Sequence, residues 1–231
     1  MEGKSRTKKQ LLNELEKSKQ KISELEKKIA KYKENEILLR EIHHRARNNM
    51  QIISSLLRLQ ERKLKNKNAR EVLKISQNRI RSMALIHEKL HRSNDMAKID
   101  LAQYIQDLAY HLFYSHGVES NAIKLITGME NILLDVDKAV PFALIVNELL
   151  TNSLKHAFPN KKKGEIQIKL QSIGREKSEF VVSDNGIGFP EDLDFRNVDS
   201  LGMKLVNALV EQIDGNIELH NDEGTSFKIT F

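Results

Sequence analysis

The stretch NELLTNSLKHAF, residues 147–158, decides the fold, because it places polar side chains inside an otherwise apolar helical pattern. Glu148 and Asn152 are four residues apart, so they share a helix face, with Asn147 beside them. Leucines cover the neighbouring faces, so the polar strip must emerge at an edge or in a cleft. Carboxylate and amide oxygens in such a place suit Mg²⁺, which completes its shell with water and substrate phosphates. A polar helix face in solvent is the alternative interpretation.

Three further signals follow in a fixed order: DNGIGFP after an apolar strand, LGMKLV at the start of a helix, and GT between two late strands. The carboxylate of Asp184 could accept a hydrogen bond from an exocyclic amine such as that of adenine, and Gly186 and Gly188 allow the backbone to approach a flat ligand. An ordinary turn explains this run equally well when it is taken alone. Gly202 opens a helix whose free amides could meet phosphate oxygens, and Thr225 is a weaker signal. Together the four signals predict a pocket for a nucleotide and a metal ion.

The sequence around these signals predicts an α/β sandwich with helices on one face of a sheet. GEIQIKLQSI and SEFVVSD alternate apolar and polar residues as strands do, and Gly174 marks the turn between them. AIKLITG and NILLDV are further strand pieces, and NIELH and SFKITF are the last two strands. Three segments follow the helical period: LAQYIQDLAYHLFYSH, a long segment that begins near Asp137, and LGMKLVNALVEQI.

The N-terminal part of the sequence predicts helices alone. Apolar residues recur at three- and four-residue spacing from Leu11 to Leu39, which indicates a coiled-coil seam; an isolated charged helix is the less favoured alternative. Two helices with apolar faces then flank a polar turn at residues 66–68, and such a hairpin is typical of a dimeric four-helix bundle. The predicted fold class is therefore α plus α/β, with a coiled coil at 1–40, a dimerisation hairpin at 41–95 and a sandwich domain at 96–231. Residues 91–100 are the predicted hinge.

Composition excludes several classes of protein. The net charge of +6 is concentrated in the first seventy residues and in a Lys run at 161–163, which indicates a solvated helix surface and predicts no nucleic-acid partner. The absence of cysteine excludes disulfides, thiolate metal sites and cysteine nucleophiles. No apolar run approaches the roughly 20 residues that span a bilayer, so we expect no membrane segment and a cytoplasmic location.

Two adjacent histidines, His43 and His44, lie in EIHHRARNN at the start of the hairpin. Neighbouring residues on a helix point about 100° apart, so at least one of the two rings must be exposed if Ile42 and Ala46 face the core. An exposed neutral imidazole, with a pKa of about 6.5, is a nucleophile at cellular pH. A pair of solubilising residues is the alternative.

With these motifs in place, the chain from about Leu38 to Phe231 resembles the sensor histidine kinases whose acceptor segment reads HHRVKNN, relatives of the HWE kinases. NELLTNSLKHAF resembles the N box of the GHKL ATPases, DNGIGFP the first glycine box, SLGMKLV the second and EGTSFKITF the last. The resemblance implies that ATP and Mg²⁺ are used. It also implies an autophosphorylated histidine, a homodimer, and transfer of the phosphoryl group to an aspartate on a response regulator receiver domain.

The resemblance also assigns roles residue by residue. It implies that Asn152 binds Mg²⁺, that Asp184 recognises adenine, and that His44 is the phosphoacceptor, with His43 as the alternative. In many similar kinases an acidic residue follows the acceptor, but here Arg45 follows His44, so Glu41, three residues before His44, could accept the ring proton. Glu148 is a further candidate catalytic residue. The remaining nucleotide-binding residues that the resemblance implies are Asn147, Lys155, His156, Gly186, Gly188, Gly202 and Thr225.

Two other functions fit the same sequence. One is a GHKL ATPase in which Glu148 activates water and the nucleotide cycle drives a conformational clamp without phosphohistidine. The other is a basic coiled-coil protein that binds nucleic acid through its N-terminal arm and carries a degenerate ATP fold.

Overall fold

The structure of the protein is a computed structural model that describes residues 8–92, 98–118, 122–159, 163–174, 177–190, 192–197, 199–221 and 223–231. Its contacts divide the chain into two compact units, Met1–Ile42 and His43–Phe231. Half of the predicted hinge, residues 93–97, lies outside the described residues. Over the described ranges, no helix has both the length and the apolar character needed to cross a membrane.

The elements, in chain order, are α1 (Lys8–Lys63), α2 (Lys67–Arg92), β1 (Lys98–Asp100), α3 (Leu101–Ser115), β2 (Ile123–Met129), β3 (Leu133–Asp135), α4 (Val136–Asn152), a π-helical turn (Ser153–Ala157), β4 (Gly164–Ile173), β5 (Lys177–Asp184), α5 (Leu201–Gln212), β6 (Asn216–His220) and β7 (Thr225–Thr230). The predicted succession of a helical part and an α/β domain is confirmed.

The first unit is helical over its described part, which belongs to α1 from Lys8 onward. In the single chain the seam residues are exposed: Leu11, Leu15, Ile22, Leu25 and Ile29. Their burial in a parallel dimer stays a prediction.

The second unit opens with an antiparallel helical hairpin formed by the end of α1 and by α2. Asn66 caps α2, since its side-chain oxygen accepts hydrogen bonds from the backbone amides of Asn68 and Ala69 at 2.9 and 3.1 Å. Gln77 on α2 donates to Glu61 on α1 at 3.1 Å, which ties the two helices near the turn. The predicted hairpin is confirmed.

The α/β domain is built on a mixed five-stranded sheet with the order β2-β4-β5-β7-β6. β2 runs parallel to β4, and the other neighbours are antiparallel. The register pairs Asp184, the last residue of β5, with Ile166 on one side and Thr225 on the other. This pairing brings the DNGIGFP and GT signals to the same end of neighbouring strands.

One face of the sheet is buried, as the alternation in the sequence predicts. Ile166, Ile168 and Leu170 of β4 are fully buried, and Phe180 of β5 packs edge-on against Phe142 of α4 with ring centroids 5.0 Å apart. The core also contains Ile86 and Leu90 of α2, which are fully buried. The second hairpin helix therefore shares a core with the α/β domain.

Candidate functional site

The carboxylate of Asp184 is the buried polar centre of the α/β domain, with 5% of the residue exposed. Its Oδ2 accepts a hydrogen bond from Ser153 Oγ at 2.7 Å, and its Oδ1 accepts from the backbone amides of Gly186 at 3.1 Å and Thr225 at 3.4 Å. Three donors from three elements therefore fix the orientation of the carboxylate, which lowers the cost of its burial.

A cavity of about 330 Å³ lies beside this carboxylate. Five of the residues singled out in the sequence line it: Asn152, His156, Asp184, Gly188 and Thr225. The rest of the wall is mostly apolar and includes Leu149, Ile187, Phe189, Met203 and Phe227. An apolar cavity with one fixed carboxylate fits a flat heterocycle that carries an amine donor.

The loop after β5 is held in place by hydrogen bonds on both sides. The side-chain oxygen of Asn185 accepts from the backbone amide of Glu165 at 2.7 Å, and the backbone of Phe189 exchanges two hydrogen bonds of 2.7 Å with the side chain of Asn221. Gly186 passes so close to the preceding turn that a Cβ atom there would lie 2.3 Å from the carbonyl oxygen of Ala157. Gly188 has a φ of +82°, which glycine adopts without strain.

The sequence predicted one long helix through residue 158, but α4 ends at Asn152 and a π-helical turn follows. This turn places Ser153 on Asp184 and brings His156 to the cavity wall. Single π-turns within helices are frequent at functional sites. Burial, together with the charge of Lys155, lowers the pKa of His156, so its ring is neutral at pH 7.

Asn152 is the predicted metal ligand, and it lines the cavity. Its amide nitrogen donates to the sulfur of Met203 at 3.4 Å, which leaves the amide oxygen as the atom suited to Mg²⁺. Among the described residues, no group of three or more His, Asp or Glu side chains is arranged to hold a metal ion by itself. The donor set therefore fits an ion that takes most of its ligands from water and nucleotide phosphates.

Glu148 and Asn147 do not line this cavity, although they belong to the same helix. The carboxylate of Glu148, 4% exposed, accepts hydrogen bonds from Arg79 Nε at 2.8 Å and Arg79 Nη2 at 2.7 Å. Asn147 accepts a hydrogen bond from Ser82 Oγ at 3.0 Å and donates to Glu148 Oε1 at 3.0 Å. The hydrogen bonds to Glu148 raise the pKa of Arg79. Both predicted residues therefore face α2.

Lys155 and Gly202 also lie on this side of the domain. Lys155 Nζ lies 2.5 Å from the Glu71 carboxylate of α2, and this contact lowers the pKa of Glu71. Gly202, in the first turn of α5, lies against the Glu148 carboxylate. The polar residues of the quoted stretch thus divide into a cavity set and a set that binds the hairpin.

The two adjacent histidines differ sharply in burial. His43 is 6% exposed, and its Nδ1 lies 3.1 Å from Nδ1 of His87 on α2. In that contact one ring nitrogen donates its proton and the other accepts it, so the accepting ring is neutral. Burial, and secondarily the charge of His43, lowers the pKa of His87. His44 is exposed, and the amide of Asn48 lies 3.3 Å from its Nδ1.

Sequence reasoning did not single out Ser153, Arg79, Ser82 or His87. Ser153 stood inside the quoted stretch, so its position was a signal, but its contact with Asp184 depends on the π-helical turn. Arg79, Ser82 and His87 of α2 carry no comparable signal in the sequence. Each can be identified only from the residue that it contacts on another element.

Comparison with known proteins agrees with this geometry. Residues 41–116 match the HisKA_2 family model, described as histidine kinase. Residues 137–231 match the family model of the histidine kinase-, DNA gyrase B- and HSP90-like ATPases.

Individual relatives point the same way. The chain is 35% identical over 187 residues to the sensor histidine kinase PdtaS of Mycolicibacterium smegmatis, a match that covers 79% of this chain and 36% of that protein. It is 26% identical over 185 residues to the blue-light-activated histidine kinase 2 of Erythrobacter litoralis, covering 78% of this chain and 52% of that protein. The chain thus spans about a third to a half of the length of these relatives.

The fold is also that of a solved structure. The histidine kinase domain of the Erythrobacter litoralis EL346 blue-light activated histidine kinase superposes with a TM-score of 0.63 at 24% identity, over 78% of this chain and 95% of that one. This likeness concerns the fold alone.

The fold and the site together define a class of protein, in which an ATP-binding domain of the GHKL type is joined to a helical segment that carries the histidines. With both family models matched in this order, the chain belongs to the histidine kinases of the HisKA_2 type, which confirms the resemblance seen in the motifs.

Proposed function

We propose that this chain is an ATP-dependent protein histidine kinase that phosphorylates His44 and passes the phosphoryl group to a response regulator receiver domain. The observation that carries the proposal is the contrast between the two adjacent histidines. His44 is exposed on the hairpin, while His43 is buried against His87. An in-line phosphoryl transfer needs an accessible ring nitrogen, and only His44 of the pair meets that need.

Asp184 would hold the nucleotide base, and the apolar cavity wall would exclude water from it. The carboxylate already accepts three hydrogen bonds, so it presents a fixed acceptor to the exocyclic amine of adenine. Asn152 would hold Mg²⁺, which neutralises charge on the phosphates when bound. His156, Gly188 and Thr225 line the cavity and would support nucleotide binding there.

The transfer itself needs little covalent chemistry from the protein. The lone pair of one ring nitrogen of His44 attacks the γ-phosphorus, the bond to the bridging oxygen of ADP breaks, and the ring proton leaves. Glu41 keeps its predicted role as the acceptor of the ring proton. In the next step a receiver aspartate takes the phosphoryl group and the imidazole is regenerated.

Labelling with γ-³²P-ATP and Mg²⁺, followed by mass-spectrometric mapping of the site, tests the proposal. We expect an acid-labile, alkali-stable label on wild type, no label on His44→Ala, and less label on Asp184→Asn when ATP is limiting. His43→Gln, which changes the neighbouring histidine, is the matched control for His44→Ala. Label that survives His44→Ala would overturn the assignment of the acceptor, and acid-stable label would overturn the phosphohistidine.

A second candidate is the GHKL ATPase that works as a conformational clamp. The hydrogen bonds from Arg79 and Ser82 to Glu148 and Asn147 favour it, since they join the hairpin directly to the N box. The same contacts occupy the carboxylate that would activate water. Steady phosphate release without any phosphoprotein would select this alternative.

A further inference from the structure

A second cavity, of about 360 Å³, lies in the groove between α1 and α2 of the hairpin. Three arginines line it, Arg47 and Arg58 from α1 and Arg81 from α2. Gln51, Ser54 and Ser55 add amide and hydroxyl groups to the lining. Part of the wall is apolar and includes Met50 and Ile80. Glu88 is the one carboxylate in the lining of this cavity, so the groove carries an excess of positive charge.

The three guanidinium groups differ from other arginines of the same hairpin. Arg79 is paired with Glu148 and Arg70 with Glu61. Over the ranges that the structure describes, Arg47, Arg58 and Arg81 form neither a salt bridge nor a side-chain hydrogen bond. Five N–H donors on each group therefore face the groove or water without a protein acceptor.

The charge of Arg81 also affects a residue of α3. Burial, followed by the charge of Arg81, lowers the pKa of His111 on α3 to about 4. A cleft that is lined by one sign of charge concentrates ions of the opposite sign.

The groove lies on the same face of α1 as His44. Gln51 and Arg58 follow His44 at intervals of seven residues, which return to one helix face after about two turns. Arg47 is three residues after His44, a distance of about 4.5 Å along the axis. The row of donors therefore begins within one turn of this exposed imidazole.

We propose that this groove is an oxyanion site that binds a phosphoryl group through Arg47, Arg58 and Arg81. Guanidinium groups bind phosphate oxygens through paired, charge-assisted hydrogen bonds, and the serine hydroxyls and the Gln51 amide supply neutral donors. The phosphoryl group has two possible sources, a free phosphate-bearing solute or the phosphoryl group on His44. The second source rests on the proposed function, whereas the first does not.

The test uses the full chain with ¹⁵N-labelled arginine side chains, and it follows the Nε–Hε resonances by NMR during titration with sodium phosphate. Sodium chloride at equal ionic strength is the reference. We expect saturable shifts with phosphate alone, and affinity about tenfold weaker in Arg47→Gln and in Arg81→Gln. Arg62→Gln, an exposed arginine in the last turn of the same helix and outside the groove, is the matched control and should bind as wild type. Shifts that chloride reproduces, or equal affinity in all variants, would overturn the site.

A second arm distinguishes the two sources by repeating the titration after incubation with ATP and Mg²⁺. If the groove holds the phosphoryl group of His44, phosphorylated chain shifts the Arg47 resonance and binds free phosphate more weakly, and His44→Ala shows neither effect. Unchanged binding by phosphorylated chain assigns the groove to a free solute. If no phosphorylation occurs, the proposed function fails, while the first arm still decides whether the groove binds phosphate.

Discussion

Arg79 on α2 binds the buried carboxylate of Glu148 on α4 through two parallel hydrogen bonds of 2.8 and 2.7 Å. The two residues are 69 positions apart in the sequence, and their side chains are 17% and 5% exposed. A bidentate pair at this depth is desolvated, so removing one partner leaves a buried charge without compensation. The pair therefore fixes α2 to the helix that carries the N box.

The first prediction concerns this pair. Arg79→Gln should lower the free energy of unfolding by about 2–4 kcal/mol, because the buried Glu148 carboxylate loses both hydrogen bonds from Arg79 and keeps only the one from Asn147. Urea unfolding of the full chain measures the change. Arg70→Gln removes an exposed pair with Glu61 at 3.9 Å and should cost less than about 1 kcal/mol. Equal effects of the two substitutions would contradict the importance of the buried pair.

A second prediction compares two glycines. Gly186→Ala should lower both stability and ATP affinity, since the new Cβ atom would lie 2.3 Å from the carbonyl oxygen of Ala157 and the loop would have to move. We expect a loss of about 1–3 kcal/mol in unfolding free energy. A Cβ atom at Gly128 would meet open space, so Gly128→Ala should change neither the unfolding free energy nor the ATP-binding free energy by more than about 0.5 kcal/mol. Thermal unfolding and nucleotide binding by calorimetry measure the two effects.

The third prediction concerns the adenine anchor. Asp184→Asn replaces an acceptor by an amide whose NH₂ group must face one of its present donors, Ser153 or the backbone amides. ATP affinity should fall by about 10- to 100-fold. The exposed Asp135→Asn is the control, because the Asp135 side chain makes no capping hydrogen bond to α4. ATP binding that is unchanged in Asp184→Asn would exclude this carboxylate as the anchor.

The fourth prediction is a dependence of stability on pH. The pKa of His111 is about 4 in the folded chain, lowered by burial and by Arg81, against about 6.5 when unfolded. The unfolded chain therefore binds more protons between these values, and stability falls as pH decreases from about 6.5 towards 4. Urea unfolding at several pH values should show a shallower slope for His111→Gln. His220→Gln, at an exposed position, should keep the wild-type slope.

A residual slope is expected in His111→Gln. Burial also lowers the pKa values of His87, His116 and His156, so these groups contribute in the same direction. A slope that does not change in His111→Gln would show that His111 is solvated in the folded chain.

The local sequence pattern predicted the helices and strands of the α/β domain well, but it predicted their ends less accurately. The alternation in GEIQIKLQSI gave β4, and Ile166, Ile168 and Leu170 are buried as the pattern requires. The end of α4 at Asn152 was missed, because a π-helical turn of five residues is too short to show a period of its own in the sequence. The parallel pairing of β2 with β4 joins distant segments, and no local period encodes it.

The sequence by itself determined the elements, the four polar signals in their order, and the exposure of at least one histidine, because each depends on residues that are neighbours along the chain. Only the tertiary structure decided which polar residues meet. In the structure Asn152 lines the cavity, whereas Glu148 of the same helix binds Arg79. His43 is buried against His87, and three arginines line one groove. These contacts arise from the packing of whole helices against one another, so their partners are set by the shared core and not by spacing in the sequence.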